Sequence, residues 1–338
     1  MTEPSHQTDV VVIGAGPVGL FSVFTCGMVR LKCHVVDALD GVGGQCTALY
    51  PEKPIYDIPG HPSILAADLI DRLEAQAAPF APVIHLGQQV EKLERRGGRW
   101  RVVTSGGMSI EAGAVIIAAG VGAFGPNRPP LAGLEAFEGT GVFYMVRRRE
   151  DFRGKKVVVA GGGDSAVDWA ISLSEVAEQV MVVHRRPKFR AAPDSVARLQ
   201  KLAGEGAIEL VTPYQLNGLH GHGGRLEAVD VATLEGDTRR LEADALLSLF
   251  GLAQDLGPIA GWGLEMDGAR IAVDPATRMT SAAGVFAVGD IAAYPGKLKL
   301  ILSGFADAAI AAHAAHAVLH PGEALHFEHS TTSGVSPL

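Results

Sequence analysis

The β-branched run Val10-Val11-Val12-Ile13 breaks directly into Gly14-Ala15-Gly16-Pro17-Val18-Gly19, and this junction constrains the fold more than any other feature of the chain. A helical stretch follows to about Arg30, and a second strand, Cys33 to Val36, ends in an acid, Asp37. Strand, glycine turn, helix, strand and acid, in that order, are the parts of a dinucleotide site. The glycines permit a tight turn, close approach of a pyrophosphate and close packing of helix on sheet. The helix N-terminus offers free N–H groups and partial positive charge to the phosphates. Asp37 lies 23 residues past Gly14, where it can accept hydrogen bonds from a ribose hydroxyl.

The pattern then recurs. Val157-Val158-Val159-Ala160 leads into Gly161-Gly162-Gly163-Asp164-Ser165-Ala166, a helix runs through Ser174, and Val180 to Val183 forms the next strand. Ala166 replaces the third glycine, a variant this turn accepts. The two units differ at the strand end, again 23 residues past the first glycine. Where the first carries Asp37, the second carries His184-Arg185-Arg186, with Lys188 and Arg190 close behind. An acid there would repel a 2′-phosphate, whereas arginines bind one with charge-assisted forks. The second site is therefore expected to prefer NADP(H); the alternative is a solvated basic turn.

The chain has 338 residues, long enough for two domains. Two further apolar runs bracket the second unit: Val115 to Val121 before it and Asp244 to Gly251 after it. The resulting expectation is an α/β protein of two Rossmann-like dinucleotide-binding domains, the second inserted into the first. The boundaries are drawn at 1–122 and 284–320 for the outer domain, 123–283 for the insert and 321–338 for a polar tail. Covalent links near 120–125 and 250–255, with glycine at 120, 122, 125 and 251, are expected to let the domains reorient. Residues 284–290 read as a strand ending in Asp290, and 304–319 as an alanine-rich helix.

Composition narrows the function. With 29 Lys+Arg against 37 Asp+Glu, the net charge of −8 argues against a general nucleic-acid binder. Three cysteines, Cys26, Cys33 and Cys46, are too few and wrongly spaced for a disulfide framework or a zinc site. The start is polar, and no apolar run reaches the roughly 18 residues of a membrane span, so a soluble cytoplasmic protein is expected.

Taken together, the two units and the terminal Gly-Asp strand resemble the thioredoxin-reductase-like flavoproteins, and more narrowly the ferredoxin–NADP reductases of that fold. The resemblance is carried by GGQCTALYPEKPIYDIPG (43–60), DFRGKKVVVAGGGDSAVDWA (151–170), HRRPKFRA (184–191), AVGDIAAYPGKLKLI (287–301) and HSTT (329–332). It implies that the first unit binds FAD, with Gly14, Gly16, Pro17 and Gly19 on the pyrophosphate and Asp37 on the adenosine ribose. It places Gln45 at the flavin, Tyr50 flat on one ring face, Val90 at the adenine and Phe124 near the flavin at the domain crossover. Asp290 would hold the ribityl chain, and Lys299 follows in the same motif. The second unit would hold NADP(H) through Gly161, Gly163, Asp164, Ser165, Ala166, His184, Arg185, Arg186 and Arg190. A homodimer is implied, in which each tail covers the partner's flavin with His329 and Thr331.

The departures from the family are also informative. No cysteine lies beyond Cys46, so the paired thiols of a thioredoxin reductase are missing. The cysteine that bacillithiol-disulfide reductases carry in the first glycine motif is Val18 here. With no other reactive constellation evident, the cofactor must do the chemistry, passing hydride from NADPH to FAD and single electrons on to ferredoxin. No side chain is assigned a catalytic role. Ferredoxins are typically acidic, so a local basic patch would have to steer the encounter. The candidates are Arg147, Arg148 and Arg149 with Arg153, Lys155 and Lys156, or Lys297 with Lys299. Flavodoxin, a quinone or another small acceptor remains open as the oxidant, and a non-catalytic flavin-binding redox sensor is the alternative from another class.

Overall fold

The computed structural model describes residues 6–323, without the side chains of 123, 124, 126 and 252–254. Among these residues the α-helices are α1 (Pro17–Met28), α2 (Gln45–Ala48), α3 (Ala66–Ala77), α4 (Asp164–Leu173), α5 (Pro193–Gly204) and α6 (Ile301–Leu319). The chain forms two compact units, one of Met1–Phe124 with Gln254–Leu338 and the other of Gly125–Ala253.

In the first unit, His6–Ile13 lies at the centre of a seven-stranded sheet. Cys33–Val36 and then Val83–His85 follow on one side, all parallel. On the other side lies Ser109–Ile117, also parallel, which pairs further with Val285–Ala287. The strand order reverses direction at His6–Ile13, the switch point where open α/β sheets bind ligands. Val10, Val11 and Val12 are fully buried, because the central strand is covered on both faces. α6 supplies one cover: Ala311, Ala312 and Ala315 pack into the core with Val10, Val12 and Val35. At 19 residues α6 is long and apolar enough to cross a membrane, contrary to the sequence expectation that no such run exists. Its buried alanine face accounts for that composition as a core helix.

The second unit repeats the plan. Lys156–Ala160 is central in a five-stranded parallel sheet, flanked by Gln179–Val183 and Glu209–Val211 on one side. Ala245–Ser248 and Val142–Phe143 lie on the other. A three-stranded antiparallel sheet, Gln215–His222, Arg225–Ala232 and Thr238–Glu242, completes it.

One boundary drawn from the sequence is wrong. The insert ends at Ala253, not at 283. Residues 254–283 return to the first unit because Ile259, Leu264 and Ile271 are buried in the same core as Val11, Ile13 and Val115. The exit near 250–255 is where the chain in fact leaves the insert.

Candidate functional site

Both glycine turns sit where the central strand of each sheet feeds a helix. In the first, Gly14 N–H donates to the Val36 carbonyl at 2.8 Å, and Ala118 N–H donates to Ile13. Gly14 adopts φ +107°, and a Cβ there would stand 2.4 Å from the Ala118 carbonyl oxygen. A Cβ on Gly19 would lie 1.9 Å from the Gly14 carbonyl oxygen, so only glycine lets α1 approach the strand this closely. A Cβ on Gly16, in contrast, would meet nothing within 4 Å. Gly16 is the N-cap of α1, no side chain caps this end, and Pro17 occupies the first turn. The amides at this terminus are left for an external acceptor.

Asp37 lines the same end. Its carboxylate accepts Ala15 N–H at 2.5 Å and Leu39 N–H at 2.8 Å, leaving a lone pair on each oxygen for a hydroxyl. Burial raises its pKa, opposed by these two backbone donors. The 43–47 loop folds over the turn: Gly43 N–H donates to Ala15 O at 2.8 Å, and Gly44 packs on Gly16. Gln45 opens α2 near Gly120. Tyr50 hydrogen-bonds the Cys46 thiol beside the Asp290 carboxylate, and burial raises the pKa of its hydroxyl. Asp290 sits in the turn after Val285–Ala287 and makes no hydrogen bond or ion pair among the described residues. Val90 is 5% exposed, its side chain packed in the core with Val36. The Phe124 side chain, His329 and Thr331 lie outside the described residues.

In the second unit, Gly161 N–H donates to Val183 O at 3.0 Å, and the buried Ala166 methyl packs on Gly161. A Cβ on Gly163 would again meet open space. The basic loop is folded back onto this turn by three contacts. Arg190 N–H donates to Gly162 O at 2.7 Å, Ala192 N–H donates to Asp164 Oδ1 at 2.8 Å, and the His184 ring lies against Gly162 and stacks on Phe189 at 5.2 Å. The Asp164 carboxylate is thus engaged within the loop, while Ser165 is exposed on the first turn of α4. Burial holds His184 below its ordinary pKa, and its Nε2 is buried without a partner among the described residues. Arg185, Arg186, Lys188 and Arg190 are exposed and form no ion pair among the described residues.

That last feature separates this loop from the other basic stretch of the unit. Arg148 pairs with Asp151, Arg149 with Glu175, Arg153 with Glu150 and Lys156 with Glu242. Of the two basic patches suggested by sequence, the one built on Lys297 and Lys299 is overturned. The Lys297 side chain is 3% exposed and locked on Asp307 at 2.5 Å, so it presents no charge to a partner. Asp307 itself, fully buried in α6, escaped the sequence reading. Its signal was present: a lone acid in an apolar helix is buried only when paired.

Two glycine cradles, one ending in an acid and one in arginines that form no ion pair among the described residues, define a pyridine-nucleotide-linked oxidoreductase of two dinucleotide-binding domains. The fold agrees with that of a T. acidophilum thioredoxin reductase, at TM-score 0.80 and 25% identity over 92% of this chain and 98% of that one. A Lactococcus lactis thioredoxin reductase matches at TM-score 0.79 and 24% identity over 92% and 99% of the two chains. The chain belongs to the pyridine nucleotide-disulphide oxidoreductase family, whose model matches residues 8–317, and within it to the ferredoxin–NADP reductases. It is 73% identical to a protein of that name from Paramagnetospirillum magneticum, over 98% of both chains. It is 67% identical to another from Rhodospirillum rubrum, over 97% of this chain and 96% of the relative.

Proposed function

We propose that the chain is an FAD-dependent ferredoxin–NADP(+) reductase. The observation that carries this reading is the contrast at the two strand ends, Asp37 in one cradle against exposed Arg185, Arg186 and Arg190 in the other. FAD, when bound, supplies the exchange between a two-electron hydride donor and a one-electron carrier. The first cradle fits it: open space at Gly16, amides at the α1 terminus that no side chain caps, Asp37 with lone pairs to spare and an Asp290 with no hydrogen bond among the described residues. The second cradle fits NADP(H): open space at Gly163, and exposed cations for a 2′-phosphate.

The chain's own residues bind and orient in this scheme. Gly14 makes the turn and Pro17 starts α1, so that the backbone amides at Gly16 and Gly19 face the pyrophosphate, while Asp37 takes the ribose hydroxyls and Asp290 takes the ribityl chain. Gln45 and Tyr50 line the flavin end. Gly161, Gly163, Ser165 and Ala166 present α4 to the second pyrophosphate. Arg185, Arg186 and Arg190 grip the phosphate that distinguishes NADPH from NADH, and His184 holds their loop on the turn. No side chain is asked to act as nucleophile. Burial pushes the Cys46 thiol up to about 11, leaving it protonated and unreactive near neutral pH. All three cysteines are free and buried, as a reducing cytoplasm leaves them. We assign the protein to a homodimer in which the segment carrying His329 and Thr331 covers the partner's flavin, the polarity of 330–334 being suited to a covering strip.

The test is spectroscopic. The purified protein is expected to show a flavin absorbance that NADPH bleaches far faster than NADH, and then to reduce ferredoxin in preference to flavodoxin or a quinone. A protein without flavin, or a flavin that NADPH does not bleach, would overturn the reading.

A further inference from the structure

The Asp307 carboxylate is fully buried and takes four donors. Arg278 Nε and the Tyr294 hydroxyl each donate to Oδ1 at 2.7 Å. Lys297 Nζ donates to Oδ2 at 2.5 Å, and the same oxygen receives Gly289 N–H at 3.1 Å. Three of these donors fix Asp307, and the fourth is the backbone of the turn that carries Asp290. Arg278 is itself held, its guanidinium 4.1 Å from the Tyr294 ring centroid. Burial disfavours an ionised carboxyl, but the hydrogen bonds from Lys297, Tyr294 and Arg278 outweigh it, so Asp307 stays an anion.

The turn is packed as tightly as it is bonded. Gly289 has φ +75°, and a Cβ on it would touch the Val18 side chain at 3.4 Å. A Cβ on Gly304 of α6 would stand 2.4 Å from Val18 Cγ2 and 3.4 Å from Gly289 Cα. Val18 belongs to the first turn of α1, between Gly16 and Gly19. The α1 terminus, the Gly289 turn and α6 therefore meet at one point, where the Val18 side chain packs against Gly289 and Gly304.

We propose that Asp307 is a positioning residue for the cofactor: through Gly289 N–H it sets the turn bearing Asp290 in register with the α1 terminus, so that both address one bound FAD. This rests on the reading of the first cradle as an FAD site. A carboxylate clamped by three rigid donors holds a backbone amide more stiffly than a solvated loop does, and binding constellations need such support.

The experiment measures FAD affinity on apo-protein, by fluorescence quenching, alongside the melting temperature of the same apo-protein. Asp307→Asn keeps the shape and removes the charge; Tyr294→Phe removes one clamp and leaves the ion pairs. Ile110→Ala, a core truncation at the opposite end of the strand Ser109–Ile117, is the control for general destabilisation. The FAD dissociation constant is expected to rise at least tenfold for Asp307→Asn and about threefold for Tyr294→Phe, and to stay within twofold for Ile110→Ala despite a lower melting temperature. The bound flavin's visible circular dichroism is expected to change in the two clamp variants only. Should Asp307→Asn not fold, Tyr294→Phe decides. A melting temperature that falls with unchanged FAD affinity and dichroism in the clamp variants would overturn the inference and leave the FAD site standing. Wild-type protein that binds no FAD would overturn both.

Discussion

Gly16→Ala separates what a glycine does for the fold from what it does for a ligand. The backbone at Gly16 has φ −70° and ψ −178°, open to alanine, and a Cβ there would meet nothing within 4 Å. Alanine is a poorer N-cap than glycine, but it also restricts the unfolded chain; each effect is worth roughly 0.5–1 kcal/mol and they oppose. The apo-protein is therefore expected to melt within about 2 °C of wild type. If the first cradle holds FAD as proposed, the same methyl would crowd the pyrophosphate. A phosphate oxygen at hydrogen-bonding distance from the α1 amides would have to retreat, giving up one or two charge-assisted bonds of about 1.5–3 kcal/mol each. One such loss weakens FAD about 10- to 150-fold. Gly19→Ala is the counterpart. Its Cβ would sit 1.9 Å from the Gly14 carbonyl oxygen, so α1 must back away, destabilising the apo-protein by about 1–3 kcal/mol. The assay is a calorimetric melt of each apo-protein and an FAD titration of the same sample. FAD affinity in Gly16→Ala within twofold of wild type would refute the reasoning, and so would a melt lowered as far as that of Gly19→Ala.

Other outcomes follow from the same structure. Arg185→Ala with Arg186→Ala is expected to raise the Michaelis constant for NADPH about 10- to 150-fold and leave that for NADH nearly unchanged; equal losses would sink the 2′-phosphate assignment. His34 is held at about 4 by burial and by its neighbours His85 and His6. It stays neutral in the fold while the unfolded chain takes up a proton near pH 6.5, so stability is full above that pH and declines as pH falls toward 4. The half-exposed ring limits the loss to roughly 1–2 kcal/mol, and His34→Gln should flatten that part of a pH–stability curve. Asp230 is held down at about 2 by hydrogen bonds from Arg240 and His220, so its contribution is present above about pH 4 and disappears toward pH 2. The difference in melting temperature between wild type and Asp230→Asn should shrink across that window. Removal of residues 329–338 should leave FAD affinity intact while shifting the flavin spectrum and changing the rate with ferredoxin; an unchanged spectrum and rate would show the segment to be only an end.

The two cradles were legible in the sequence because everything they need is local. A β-branched strand, three small residues at fixed spacing, a helix and a strand end 23 residues on are set by neighbours in the chain, and their chemistry is carried by residue type. Asp37 and the Arg185–Arg186 pair therefore sit where the spacing puts them. Tertiary structure decided what depends on burial across distance. The return of 254–283 to the first unit is driven by Ile259, Leu264 and Ile271 entering a core whose other members lie as far back as Val11, and no motif marks that. Lys297 reads as a surface charge and turns out to be a buried one, because its partner stands ten residues on in α6, where the lone acid marks a buried pair without saying which cation completes it. Local pattern thus determined which groups are gathered at the two glycine turns. Long-range packing determined which charges are free to meet anything, since a charge leaves water only where a distant partner is already in place.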